Sequence, residues 1–331
     1  MAKTALTGLV GSHPLGALAA FGLLRVISRS SQFANPRLSW QAEDDWIAVL
    51  HDNTWSDEPA LRAAIITALL THQENRPLAD FLTWGEDIKV SPDKYAELLR
   101  AKADTCTPSS RETVDYLTAF GSETVTARST PDVKPTAFHM TAGQQAFLKS
   151  AREIALSLDP TRPPARGKNS AEVTSETEKA FARALLGPWR YEDRYHSLGW
   201  DPAAEALHAL SDIAPTAAGP ACERASVWLA FEALPLFPTA PVGNRLHTRA
   251  FDERSESFSW PIWLPPITVG TLTSLLGLRE LVVLNPPMEQ LLPRGVVAVY
   301  RSACERDANG RGTLRNAVLC AGGGILRGTE A

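Results

Sequence analysis

Apolar positions are densest in residues 6–28, LTGLVGSHPLGALAAFGLLRVIS. The run opens strand-like, breaks at a glycine-rich turn and continues as a helix. From Pro14 to Ile27 its only charged side chain is Arg25. Ser12 or His13 is the expected N-cap, with Pro14 in the first turn, where a missing amide hydrogen costs no intrahelical bond. Leu15, Leu18, Ala19, Gly22 and Val26 repeat at helical spacing, and Ala17, Ala20, Phe21 and Leu24 cover the other side. A helix that is apolar all round is a buried one. The run is also shorter than the roughly 20 apolar residues a bilayer span needs. The pattern therefore predicts a central core helix entered through a tight turn.

The rest of the chain patterns more weakly. Residues 36–50 read as a short strand pair or a loop anchored by Trp40 and Trp46. Residues 57–75 form an amphipathic helix capped by Asp57, and residues 91–103 a second one capped by Ser91. Residues 104–136 have little apolar periodicity. Helices follow over 141–159 and 170–186. Between them lies PTRPPARGKNS, residues 160–170, whose prolines, glycine and basic residues read as a linker. Residues 225–238 predict a buried helix that stops at proline. Segments 245–251 and 257–263 alternate like strands and form a hairpin, and residues 268–278 a short helix. Segments 296–302 and 314–320 flank a polar tip with Asn309 and Gly310 in its turn. The fold class is α+β, predominantly helical, with a small antiparallel β element in the C-terminal third. The domain reading is a mainly helical unit over 1–159, the basic linker over 160–170 and an α+β unit over 171–331, or one continuous fold across the linker.

Charge and cysteine usage narrow the function classes. A net charge of −4 gives no overall field toward nucleic acid or anionic membranes. Every lysine lies at or before Lys179, and arginine alone carries positive charge after it. Arginine suits forked phosphate contacts and base stacking, although a GC-rich codon preference is the plainer explanation. Cys106, Cys222, Cys304 and Cys320 are far apart, which argues against a disulfide framework and against a zinc site. Lys3 before an apolar run faintly resembles a signal peptide, but the turn at residues 11–14 interrupts it and no small-x-small cleavage site follows. The expected location is the cytoplasm, with no membrane partner.

No P-loop lysine motif, G-x-S-x-G elbow or H-E-x-x-H is present, and the histidines have no ligand spacing. The expectation is a chain that is not an enzyme and takes no metal and no cofactor. The adjacent acids Asp44 and Asp45, like Glu86 and Asp87, point apart on any regular element and read as solvated faces. Four features suit binding. Backbone amides at the start of the first helix make an anion site to which His13 adds a donor, or they form a plain strand-to-helix turn. In WRYEDRYHSLGWDP, Trp189, Arg190, Arg194 and Tyr195 suit stacking on bases and contacting phosphates, or Trp189, Tyr195 and Trp200 are core. Arg245, Arg249, Arg301, Arg306, Arg311 and Arg315 line up as a positive stripe on neighbouring strands, or pair with Asp252, Glu253, Glu256, Glu305 and Asp307. Arg166 and Lys168 lie in the linker, a mobile basic loop that meets a phosphate backbone or only connects.

Five segments carry a resemblance to a known family. They are residues 6–28, LLGPWRYEDRYHSLGWDP, WLAFEALPLFPT, SFSWPIWLPP and VAVYRSA, in order over most of the chain. Together they resemble proteins of type I-G (formerly I-U) CRISPR-Cas systems, namely large-subunit-like proteins and the related helicase-nuclease extension. The resemblance implies a non-catalytic subunit of an RNA-guided surveillance complex that contacts target DNA, at the flanking motif, the displaced strand or the duplex backbone, and helps recruit the helicase-nuclease. Its partners would be guide RNA, target DNA, other effector subunits and the helicase-nuclease. In such complexes protein reads shape and a short flanking motif, and pairing reads the rest. Two other readings remain: an adaptor that tethers the helicase-nuclease without touching DNA, and a metal-dependent enzyme. On the DNA-reading expectation, Arg301→Ala with Arg311→Ala weakens target binding and lowers its salt slope.

Overall fold

The computed structural model describes residues 2–127, 130–142, 146–204, 221–308 and 310–324. The chain opens with β1 (Ala2–Val10), which turns directly into α1 (Pro14–Ile27). Every residue of α1 is buried, as its all-round apolar pattern demands. β2 (Arg37–Ala42) and β3 (Trp46–Asp52) follow, and the first sheet has the order β1-β3-β2, antiparallel throughout. Central β3 is buried at every position, with Asp52 registered on Ala2 and Ala48 on both Leu6 and Trp40.

A helical stretch follows, of which the first helix packs on β1 and α1. It comprises α2 (Glu58–Gln73), the single turn α3 (Asp80–Thr83), α4 (Pro92–Asp104) and α5 (Arg111–Phe120). Asp57 and Ser91 cap α2 and α4, each accepting an amide from the first turn. β4 (Gly121–Thr126) and β5 (Val133–Pro135) pair as a small ribbon. α6 (Phe147–Leu158) and α7 (Ser170–Leu186) come next, the latter opened by a full capping box between Asn169 and Glu172. α8 (Arg224–Glu232) lies against α1 so closely that a β-carbon on Gly22 would overlap the Leu229 carbonyl oxygen. Only glycine permits that approach.

The last third holds β6 (Thr239–Val242), β7 (Arg245–Thr248), β8 (Ser257–Trp263), α9 (Val269–Leu276), α10 (Met288–Leu291), β9 (Val296–Arg306), β10 (Gly312–Leu314) and β11 (Val318–Gly322). Long β9 pairs with β8 along one edge and with β10 and β11 along the other. Indole N–H groups tie this sheet to the first: Trp260 Nε1 donates to Gly11 O at 2.8 Å and Trp263 Nε1 to Leu38 O at 2.8 Å.

This architecture corrects the predominantly helical expectation. The described residues are 41% helical and 23% strand, in four antiparallel sheets spread from residue 2 onward rather than one in the C-terminal third. Two causes are clear. β3 is buried on both faces, so it lacks the period-2 alternation that marks a half-exposed strand. β4 and β5 have few apolar residues and are held by backbone pairing. A second correction concerns the hairpin expected between residues 245–251 and 257–263. β7 instead pairs with β6 across Gly243 and Asn244, and β8 pairs with β9, leaving only a bridge between Phe251 and Phe258. The strand expected over 314–320 is split into β10 and β11 around residues 315–317. In the expected turn, Asn309 lies outside the described residues, as do residues 143–145 and residue 129 of the connector at 129–136; of the helix expected over 141–159, the described helix runs from Phe147 to Leu158.

Residues from both sides of 160–170 enter one hydrophobic core. α1 packs on α8, and α7 packs on β1 and α2. Six tryptophans, at 40, 46, 200, 228, 260 and 263, are among its largest fully buried side chains. Among the described residues no helix is long and apolar enough to cross a membrane.

Candidate functional site

The turn between β1 and α1 opens onto a cleft of about 470 Å³. Gly11 anchors the turn, its amide donating to Trp46 O at 2.7 Å. His13 is the N-cap of α1: its Nδ1 accepts the Gly16 amide at 3.3 Å. Its Nε2 faces Asp201 Oδ1 at 3.5 Å. Nε2 is buried and makes no hydrogen bond among the described residues. On the opposite wall Gly8 lets β1 lie against the end of α7, where a β-carbon would stand 2.8 Å from the Gly187 amide nitrogen. That contact presents Pro188 and half-buried Trp189 to the cleft. Trp189 is fixed by its Nε1, which donates to Ala184 O at 3.1 Å, and by a T-shaped contact with the His13 ring, centroids 5.4 Å apart. Asp45 and Asn316 complete the polar lining.

The remaining predicted residues fall in several places. The segment from Trp189 to Tyr195 wraps two acids. Buried Glu223 accepts the amides of Arg190 and, at 2.8 Å, Tyr191, while Arg183 bridges Glu223 and Asp193 at 2.7 Å each. Arg190 and Arg194 are exposed; Tyr195 is partly buried with the Arg224 guanidinium 6.0 Å from its ring centroid. Trp200 is fully buried. Arg166 and Lys168 are exposed in the loop before α7, where Lys168 pairs with Glu176.

Most of the six stripe arginines have partners within the chain. Arg245 is exposed on the two-stranded β6–β7 ribbon, away from the β9 sheet in topology. Arg249 points at the carbonyls of Leu236 (3.3 Å) and Thr273 (3.5 Å), and burial lowers its pKa. Arg301 donates to Ser259 Oγ at 2.8 Å and to the carbonyls of Leu281 and Val283 at 3.2 and 2.6 Å. Arg306 clamps the carbonyls of Ala137 and His139 at 3.3 Å. Arg315 pairs with Glu305, one of the acids expected to compete for the stripe. Arg311 is partly buried beside His196, whose pKa is driven to about 4 by burial and then by this cation.

The largest charged assembly was not predicted. Glu232, with no exposure, accepts from Arg76 Nε and Nη2 at 2.9 and 2.8 Å, from Arg25 at 3.1 Å and from the Tyr116 hydroxyl at 2.8 Å; His72 Nε2 lies 2.9 Å away. Arg76 and Arg25 also hold Glu112 at 2.6 and 3.0 Å. Burial raises the carboxyl pKa of Glu232, but Arg76, His72 and Arg25 outweigh it and hold it well below the usual range. The available signal was the lone charge Arg25 in apolar α1, and Glu232 at the end of the apolar run of α8. Asp87, read as a solvated acid, instead meets the buried His139 at 2.6 Å. Among the described residues no group of three or more His, Cys, Asp or Glu side chains is placed to hold a metal ion.

Comparison of the chain with protein-family models, with curated proteins and with solved structures finds no match.

Proposed function

We propose that this chain is a non-catalytic subunit of a type I RNA-guided surveillance assembly, and that its work is docking: it tethers the helicase-nuclease to the complex. One observation carries the reading. The five segments that resemble the type I-G family, scattered along the sequence, meet in space. α1 of the first packs on α8 of the third. Trp260 of the fourth donates to Gly11 of the first, and β8 pairs with β9, which holds the fifth. Pro188 and Trp189 of the second wall the cleft onto which the first opens. The resembling segments thus belong to one hydrophobic core, which is what a single shared fold requires.

Docking is favoured over direct DNA reading by the arginines. Arg249, Arg301 and Arg306 spend their guanidinium groups on carbonyls of this chain. Phosphate contact would then fall to Arg166, Arg190 and Arg245, exposed on three separate segments. The deciding experiment is a pull-down with the tagged full chain. Without digestion it is expected to co-purify with guide RNA and the backbone subunits, and after nucleic acids have been digested it is expected still to retain the helicase-nuclease. Retention of neither overturns the reading. Retention that returns only when target DNA is added favours DNA reading instead. Metal-dependent cleavage that tracks with a point variant would make the chain an enzyme.

A further inference from the structure

The charged group in the cleft wall is a carboxylate, not a cation. Each oxygen of Asp45 is held once: the Ser12 hydroxyl donates to Oδ2, and the Trp46 amide to Oδ1 at 2.6 Å. An ionised carboxylate has about four lone-pair sites. Both oxygens therefore keep an acceptor position, while the two bonds fix the plane of the group. Glu43 and Asp44 are exposed on the same β2–β3 turn, and among the described residues no lysine or arginine lines the cleft. The start of α1 offers little to an anion. Pro14 has no amide hydrogen, and that of Gly16 is taken by His13. Trp189 supplies a fixed aromatic surface to the same space.

We propose that this cleft receives an arginine side chain presented by a basic segment of a partner protein, its guanidinium pairing with Asp45 while it lies against Trp189. The guanidinium is planar, presents paired N–H groups that match a two-oxygen acceptor, and stacks on indole. A cavity of about 470 Å³ accommodates that side chain and part of its backbone. Charge decides between occupants. A nucleic-acid strand entering here would bring its phosphates against Glu43, Asp44 and Asp45, whereas a basic peptide is drawn to them. The inference rests on the docking reading above and names the chemistry of the partner.

The test titrates the full chain with an amidated peptide of alternating glycine and arginine, with its lysine counterpart and with GMP. The arginine peptide is expected to bind about fivefold more tightly than the lysine peptide, because only the guanidinium pairs in bidentate fashion. Asp45→Asn is expected to weaken it about tenfold, as loss of a central charge-pair anchor does. Asn316→Arg, which sets the chain's own guanidinium at the exposed rim, is expected to block the cleft with the melting temperature unchanged. The exposed Glu253→Gln, on a different loop, is expected to leave binding as it was. Equal weakening in Glu253→Gln would mean unspecific charge attraction and overturn the proposal. Absence of peptide binding, or displacement of the peptide by GMP, would overturn it too. The docking reading is judged separately: if Asn316→Arg still pulls down the helicase-nuclease as the wild type does, the arginine cleft fails and docking elsewhere on the chain stands.

Discussion

At the scale of single residues, the side chain with most at stake is Glu232. It sits without exposure among two arginines, a histidine and a tyrosine hydroxyl, and satisfies all of them at once. Removing one member of a buried charged set leaves the others desolvated and unpaired, which costs about 3–5 kcal/mol. Glu232→Gln is therefore expected to lower the free energy of unfolding by about that amount in urea titrations; a loss below about 1 kcal/mol would show that the cluster relaxes around a neutral amide. The acid limb of the stability profile follows from the same group. Glu232 and Glu112 titrate below the ordinary glutamate value of 4.5 in the folded chain, so the unfolded chain binds more protons there. Their contribution is present above pH 4.5 and is lost as pH falls toward the folded values. His196 acts in a higher window. Its folded pKa of about 4 lies under the usual 6.5, so its neutral burial also costs stability as pH falls from 6.5 to 4. Urea midpoints between pH 7 and pH 3 should thus decline in two stages, and Glu232→Gln should flatten the lower one; a single unchanged slope would contradict the assignment.

At the scale of elements, legibility depended on whether an element's burial is one-sided or total. α1, α2 and α4 were readable because apolar period and cap residues agree, and His13, Asp57 and Ser91 cap as their side chains suggest. β3 is buried on both faces and β4 is stabilised by pairing, so neither leaves a period to find. The β6–β7 ribbon did have a signal. Gly243 and Asn244 form a two-residue loop, with Gly243 at φ +59, and a Gly-Asn pair between short strands marks a hairpin. The longer alternating runs at 245–251 and 257–263 masked it. The candidate site was half legible: the turn and Trp189 were singled out, but Asp45 was discounted as solvated because sequence cannot show that Ser12 and the Trp46 amide turn it inward. The arginine stripe failed for a related reason. A side chain's charge is visible in sequence, whereas the carbonyls that consume it belong to segments distant in the chain. Arg301 makes the point testable. It braces β9 against residues 281–283, so Arg301→Ala is expected to cost about 1.5–3 kcal/mol and to leave the salt slope of target-DNA binding by the assembled complex unchanged. A reduced slope at unchanged stability would return Arg301 to the phosphate backbone.

At the scale of the whole molecule, the proline-rich segment at 160–170 looks like a boundary in sequence but does not separate two cores. Residues 163–170 are exposed, and a β-carbon on Gly167 would meet nothing within 4 Å, so the segment runs over the surface. Beneath it α7 packs on β1 and α2, α8 packs on α1, and Trp260 and Trp263 reach back to Gly11 and Leu38. The buried charge set spans the same divide, with Arg25, Arg76 and Glu112 before the segment and Glu232 after it. Such a division should be covalent only. A specific protease site inserted at Gly167 and cut is therefore expected to yield two fragments that co-elute in native buffer and part only in denaturant, through one cooperative transition. Fragments that separate in native buffer would mean that each half holds its own core. The consequence for function is direct, because the cleft takes one wall from β1 and the β1–α1 turn and the other from Gly187 to Trp189. If the halves stay joined after cleavage, the nicked protein keeps the cleft and should bind the arginine peptide as the intact chain does; if they part, that binding should vanish with them.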